Sequence, residues 1–230
     1  MCFSATASFT AGAILAGIGT LTLRSALFAQ RPRELPFAAI PLLFAVQQFT
    51  EGLIWLGFNA GEPFLNGAMT HVYSFFSHVL WPVYVPVAVR WMEPAGWRRQ
   101  VLLAFVAAGA AVAAFLLVVL VAFPVVARPV GQHVQYTSPH FFAALTMVLY
   151  LSSTVLSPVF SSHRWVKVFG LLALLSFGAA YGFYATWFIS VWCFFAALLS
   201  AVICLHFALR GRESRFALVA EARPATNRST

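Results

Sequence analysis

Few side chains in this sequence could do chemistry inside an apolar setting, and most of them fall in two short stretches. Glu51 interrupts a run of Leu, Ile, Phe, Ala and Trp, with Gln47 and Gln48 one turn before it. The spacing 44, 48, 51, 55 stacks Phe44, Gln48, Glu51 and Trp55 on one helix face, with Gln47 alongside. His71, Ser74, His78 and Trp81 follow at steps of three, four and three and form a second stripe. A carboxylate in hydrocarbon takes up a proton unless a donor, a metal ion or water meets it, so Glu51 is expected to face a polar partner and to have a role. Thiolate, imidazole and carboxylate suit zinc or copper. Cys2, Glu51, His71 and His78 are therefore a candidate ligand set, with Glu51 and His78 as the candidate catalytic pair. His71 and His78 stand about two turns, roughly 10 Å, apart along a helix, so one of them with Glu51 and Cys2 is the more economical set. An open position on such a metal would support hydrolysis by polarised water, or a redox step at copper.

The elements that must position these residues are membrane spans. Of 230 residues, 61% are apolar and 9% charged, and mean hydropathy is +0.86, whereas soluble domains carry about 25% charged residues. All the acidic residues are Glu, and Lys167 is the only lysine. Apolar runs long enough to cross a bilayer fall at 5–28, 36–58, 69–91, 99–123, 140–160, 166–184 and 187–208, which predicts an all-α, seven-helix transmembrane domain over 1–209 and a short basic tail over 210–230. The net charge of +8 is not the footprint of nucleic-acid binding, because the arginines lie in short clusters between these runs. Arg24, Arg31 and Arg33, then Arg90, Arg98 and Arg99, then Arg164 and Lys167, then Arg210, Arg212 and Arg215 follow alternate runs, and the other side carries Arg128 alone. That asymmetry puts the N-terminus outside and the C-terminus in the cytoplasm, as expected for a multi-pass protein of the bacterial inner membrane. Residues 1–7 lack a positive n-region, so the first run is not read as a cleaved signal.

With that topology the polar exceptions gather at one depth. Ser4, Gln47, Gln48, Trp55, Ser74, Trp81, Tyr181, Trp192 and Cys193 are expected to line a polar cavity in the outer half, formed chiefly by runs 1, 2, 3, 6 and 7, with the Ala/Val/Leu-rich fourth run as scaffold. The loop 124–139 carries Gln132, His133, Gln135 and Tyr136 and is long enough to fold over the helix ends. Pro82 and Pro86 predict a bend in the third helix just below His78. Buried Gln, Ser and Thr also have a purely structural use, tying helices together at about 0.6 kcal/mol per bond, and Ser8, Gly12 and Ala16 read as small-residue packing. Cys2 and Cys193 share the oxidising side, but the depth of Cys193 disfavours a disulfide; Cys204 reads as an inert core thiol.

Met-Cys-Phe-Ser-Ala-Thr-Ala-Ser-Phe at residues 1–9 resembles the signature of an uncharacterised family of small bacterial polytopic membrane proteins. The resemblance continues through Gln47-Gln48-x-x-Glu51-Gly52-x-x-Trp55, Leu80-Trp81-Pro82-x-Tyr84-x-Pro86 and Ser190-Val191-Trp192-Cys193-Phe194-Phe195-Ala196-Ala197, over nearly the whole chain. It implies that these are motif residues of the family and supplies no activity. Better-understood membrane families fail on their chemistry. Retinal needs a lysine deep in the last helix, bis-histidine haem needs facing histidines on two helices, seven-helix hydrolases need HxxxH and an Asp, and thiol oxidases need CxxC; none is present, so neither haem nor retinal is expected.

Three functions compete on these residues. The first is a zinc or copper site supporting hydrolytic or redox chemistry. The second is a proton-coupled transporter or channel using Glu51, with Ser152, Ser153, Thr154 and Ser157 as the only matching polar residues in the cytoplasmic half. The third is a sensor, assembly factor or ligand-binding subunit without turnover. The expected partners are the lipid bilayer and an unidentified small molecule, with self-association into a homo-oligomer left open.

Overall fold

A computed structural model describes residues 4–139, 141–183 and 188–221. Helix α1 (Ala5–Phe28) begins where Ser4, extended, accepts a hydrogen bond from the Ala7 amide on its Oγ at 3.2 Å. After a 3₁₀ turn at Pro32–Glu34, α2 (Leu35–Ala60) ends at Gly61, whose φ of 68° is the left-handed conformation that closes a helix. Pro63 starts α3 (Pro63–Met92) at once, so this helix begins well before the expected boundary at 69. Then come α4 (Trp97–Ala122), strands β1 (Val126–Val130) and β2 (His133–Thr137), and helices α5 (Ala143–Val159), α6 (Arg164–Phe183), α7 (Phe188–Leu198) and α8 (Ser200–Glu221). Among the described residues, α1, α2 with its 3₁₀ turn, α3, α4 and α6 are long and apolar enough to cross a membrane, and α5 and the Ser200–Arg210 part of α8 are shorter apolar helices. The expected seventh run is divided at Leu199, and α8 continues helically into the segment expected as a tail.

Small residues set the α1–α2 approach. Ser8, Gly12, Leu15, Gly19, Thr22 and Ala26 form one buried stripe. A Cβ on Gly12 would stand 2.8 Å from the Phe49 ring, and one on Gly19 would stand 2.7 Å from the Leu42 backbone nitrogen, so glycine is needed at both crossings. Thr22 fastens the pair by donating to the Ala38 carbonyl at 2.7 Å.

Among the described residues two helices contain a π turn, and a proline stands two residues past each. In α3 the wide turn covers Phe75–Leu80, and the Trp81 amide reaches back five residues to the Phe76 carbonyl. The next donor in that pattern would be the nitrogen of Pro82, which has no hydrogen, and Tyr150 Oη donates to the stranded Ser77 carbonyl instead, at 2.6 Å. In α5 the turn covers Ser152–Leu156, the Ser157 amide bonds Ser152 O, and Pro158 strands the Ser153 carbonyl. Ser157 Oγ satisfies it at 2.5 Å. Where a bend was expected just below His78, the helix carries a π turn that contains His78 and runs up to Leu80, with Pro82 and Pro86 following it. Pro86 likewise leaves the Pro82 carbonyl without its helical donor, and Gly109 of α4 packs directly on that oxygen, where a Cβ would collide.

An all-helical chain was expected, and the hairpin departs from it. Ala127 pairs with Tyr136 and Pro129 with Val134 in antiparallel register, while Gly131 turns at φ 60°. Val134, Tyr136 and Ala127 are buried against Ile54, Trp55 and Tyr73, so the hairpin closes one end of the bundle. At the opposite end, Glu34 accepts from Arg210 at 2.5 Å, with Arg31 at 3.9 Å and His206 at 4.0 Å, joining α8 to the start of α2. Glu93 there accepts from the Ser162 amide at 2.9 Å and from Ser161 Oγ at 3.0 Å, just before α6 begins.

Candidate functional site

The site builds from the register of α2 against α3. Phe44 stacks on Trp81 at 4.1 Å, and Trp81 Nε1 donates to Gln47 Oε1 at 2.8 Å. Toward the hairpin, Asn66 Nδ2 donates to the Ile54 carbonyl at 3.2 Å. Gln47, Gln48 and Glu51 are all completely buried. Gln48 makes no hydrogen bond through either amide atom among the described residues, and Trp55 is buried with Nε1 likewise unpartnered. Glu51 faces the interior, and the hairpin reaches it there: Tyr136 Oη donates to Oε1 at 3.5 Å, a long and weak bond. The Tyr136 ring lies flat on Tyr73 at 4.5 Å with 2° between planes, so one tyrosine both covers the α2–α3 seam and touches its carboxylate. Burial of His133, at the foot of β2, lowers its pKa below the usual imidazole value.

Beside this seam lies a cavity of about 150 Å³. Ser74, Ser77 and His78 of the α3 π-turn region form its polar strip, Tyr150 and Thr146 of α5 and Trp192 of α7 close one side, and Phe115, Leu116, Val119 and Leu120 of α4 with Val125 and Pro139 close the other. Trp192 packs edge-on to Tyr150 at 5.7 Å and to Phe177 at 5.6 Å. Among the residues expected to line a cavity, Ser74 and Trp192 line this one, joined by His78 of the candidate ligand set, whereas Gln47, Gln48, Trp55 and Trp81 sit in the seam beside it. The fourth helix, expected as scaffold, is a main wall: its Phe, Leu and Val side chains carry no sequence signal that separates a cavity face from a lipid face. Tyr150 had no signal either, because the orphaned carbonyl that engages it exists only once the π turn forms.

Other expected lining and ligand residues are placed elsewhere. Ser4 is the α1 cap. Tyr181 is 57% exposed and stacks on Phe177. His71 is exposed, with Nδ1 2.9 Å from the Gly67 carbonyl of its own helix. His78 Nδ1 lies 3.1 Å from the Ser74 carbonyl and 2.8 Å from Ser77 Oγ. No three His, Cys, Asp or Glu side chains gather among the described residues, so Glu51, His71 and His78 do not form a ligand cluster. They lie on different faces: Glu51 in the seam, His78 on the cavity, His71 outside. Cys2 and the side chain of Cys193 lie outside the described residues; Cys204 is a half-buried free thiol.

No curated protein and no solved structure matches this chain. A family profile, described as a family of unknown function, does match, and it spans residues 1–219, taking in the seam, the hairpin and the cavity together. The chain therefore belongs to that family, DUF6629.

Proposed function

We propose that this is a seven-span protein of the bacterial cytoplasmic membrane, N-terminus outside, that binds a small and mostly apolar molecule near the outer surface, as a sensor or ligand-binding subunit without turnover. The orientation rests on the alternating arginine clusters. The observation that carries the binding reading is the cavity of about 150 Å³ at the hairpin end, with an apolar wall and one polar strip. A dry apolar cavity of about 150 Å³ accepts benzene, which sets the scale of the guest at a single ring or a short chain. A zinc or copper site lacks comparable support, since its described donors stand apart. Proton-linked transport lacks it too: the hydroxyls of Ser152, Ser153, Thr154 and Ser157 all donate to carbonyls of their own helix and line no path. The test is fluorobenzene binding to the protein in lipid nanodiscs, followed by ¹⁹F NMR. A protein-bound signal is expected that disappears in the cavity-filling variants Val119→Trp and Ala143→Phe. A signal that survives both variants, or no bound signal in the parent protein, would overturn the reading.

A further inference from the structure

Helical serines and threonines in this chain share a habit. Thr20, Thr50, Thr70, Thr154 and Ser157 donate their hydroxyl to the carbonyl four residues back. Thr22, Ser77, Ser152, Ser153 and Ser176 donate to the one three back. The buried hydroxyls of Ser8 and Ser200, away from the cavity, are exceptions among the described residues, and so is Ser74, although the Thr70 carbonyl lies one turn behind it. It is 1% exposed, its Oγ has no hydrogen-bond partner among the described residues, and it lines the cavity. A buried hydroxyl left without a partner costs about 1–3 kcal/mol, and a proton acceptor in its own helix was within reach.

The other polar groups of that strip are engaged. Ser77 Oγ donates to the Ser74 carbonyl at 3.2 Å, Tyr150 Oη to the Ser77 carbonyl at 2.6 Å, and Thr146 Oγ1 to the Phe141 carbonyl at 3.4 Å. His78 Nδ1 faces the Ser74 carbonyl. Among the described residues no Asp, Glu, Lys or Arg lines the space, so a charged guest would meet no counter-charge from them, which is strongly unfavourable.

We infer that Ser74 is the anchor of the cavity's ligand, and that the ligand is a neutral, ring-sized molecule carrying one hydroxyl or carbonyl oxygen, hydrogen-bonded to Ser74 Oγ with its apolar body against α4. This rests on the proposed binding role of the cavity. Two probes with the same ring and one oxygen of difference test it: 4-fluorophenol and fluorobenzene, titrated by ¹⁹F NMR against the full chain in nanodiscs. Ser74→Ala should lower the preference for 4-fluorophenol over fluorobenzene by about fivefold, the size of one hydrogen bond. Fluorobenzene binding should stay in place, and Ser74→Thr should keep the preference. If both probes bind and are expelled by Val119→Trp, yet Ser74→Ala leaves their ratio unchanged, the anchor is wrong and the cavity reading stands. If neither probe gives a signal sensitive to Val119→Trp, both fall. Binding of fluorobenzene by Ser74→Ala shows that the variant is folded.

Discussion

Gln47 and Trp81 show how strongly single side chains are held in the α2–α3 seam. The indole donates to a carbonyl oxygen that has no water to fall back on, since Gln47 is completely buried. Trp81→Phe keeps a ring for Phe44 to stack on but strands that oxygen, and should lower stability by about 1–3 kcal/mol. Adding Gln47→Leu removes the stranded group, so the double variant should recover part of the loss. Chemical denaturation of the four proteins of this cycle in detergent decides it, and additive effects would show that the bond contributes nothing. This residue scale was partly legible in the sequence. Gln47, Gln48 and Glu51 stand out by type, and their burial follows from lying on the inner side of an apolar helix. Their partners were not legible, because a stripe counted at 3.6 residues per turn treats α3 as uniform. Through the π turn the count fails: Ser74 and His78 reach the cavity, while Trp81, seven residues after Ser74, turns to α2.

At the scale of elements the hairpin is the part that composition hid. Its two strands are short and sit inside a chain whose every other long signal is helical, so Gly131 between Val130 and His133 read as a loop. Alternation of Val134 and Tyr136 with the polar His133, Gln135 and Thr137 was the available clue. The hairpin also carries a dependence on pH. His133 has a folded pKa below the 6.5 of a free imidazole because burial disfavours its charged form. The unfolded or undocked hairpin then binds more protons than the docked one, so docking is strongest when the ring is neutral and weakens as pH falls below about 6.5. Hydrogen exchange of the amides in 126–137 should therefore speed up, beyond its intrinsic pH trend, between pH 7 and pH 5.5, with core amides of α2 unaffected. His133→Asn should abolish that step. Equal protection across this range in the parent protein would show that His133 does not govern docking.

The whole molecule reads as two differently built ends joined by apolar helices. One end is closed by stacked tyrosines and a buried carboxylate, the other by ion pairs and capping bonds around Glu34 and Glu93. The number and rough position of the long apolar helices were legible because twenty apolar residues in a row have few other uses. Glu34 and Glu93 were hidden in segments that read as breaks between helices. Their role depends on α8 and α6 returning to that end, which is a property of the fold and not of any local pattern.

The π turns also bear on chain length. Each holds one residue more than an α-helix needs over the same path, so α3 carries a surplus residue between Phe75 and Leu80. Removing one residue there lets the segment close to a regular α-helix over nearly the same path and leaves its apolar content nearly unchanged, but it takes away the wide turn that turns the Ser77 carbonyl to Tyr150. Such a deletion, for example of Val79, should still insert and accumulate, since crossing a bilayer depends on length and hydropathy. It should weaken fluorobenzene binding, because Ser77 and His78 lose their places on the cavity and the Ser77 carbonyl no longer meets Tyr150. Membrane insertion and ligand binding would then be separable by a single residue, and a deletion variant that binds as the parent does would show that the surplus has no purpose.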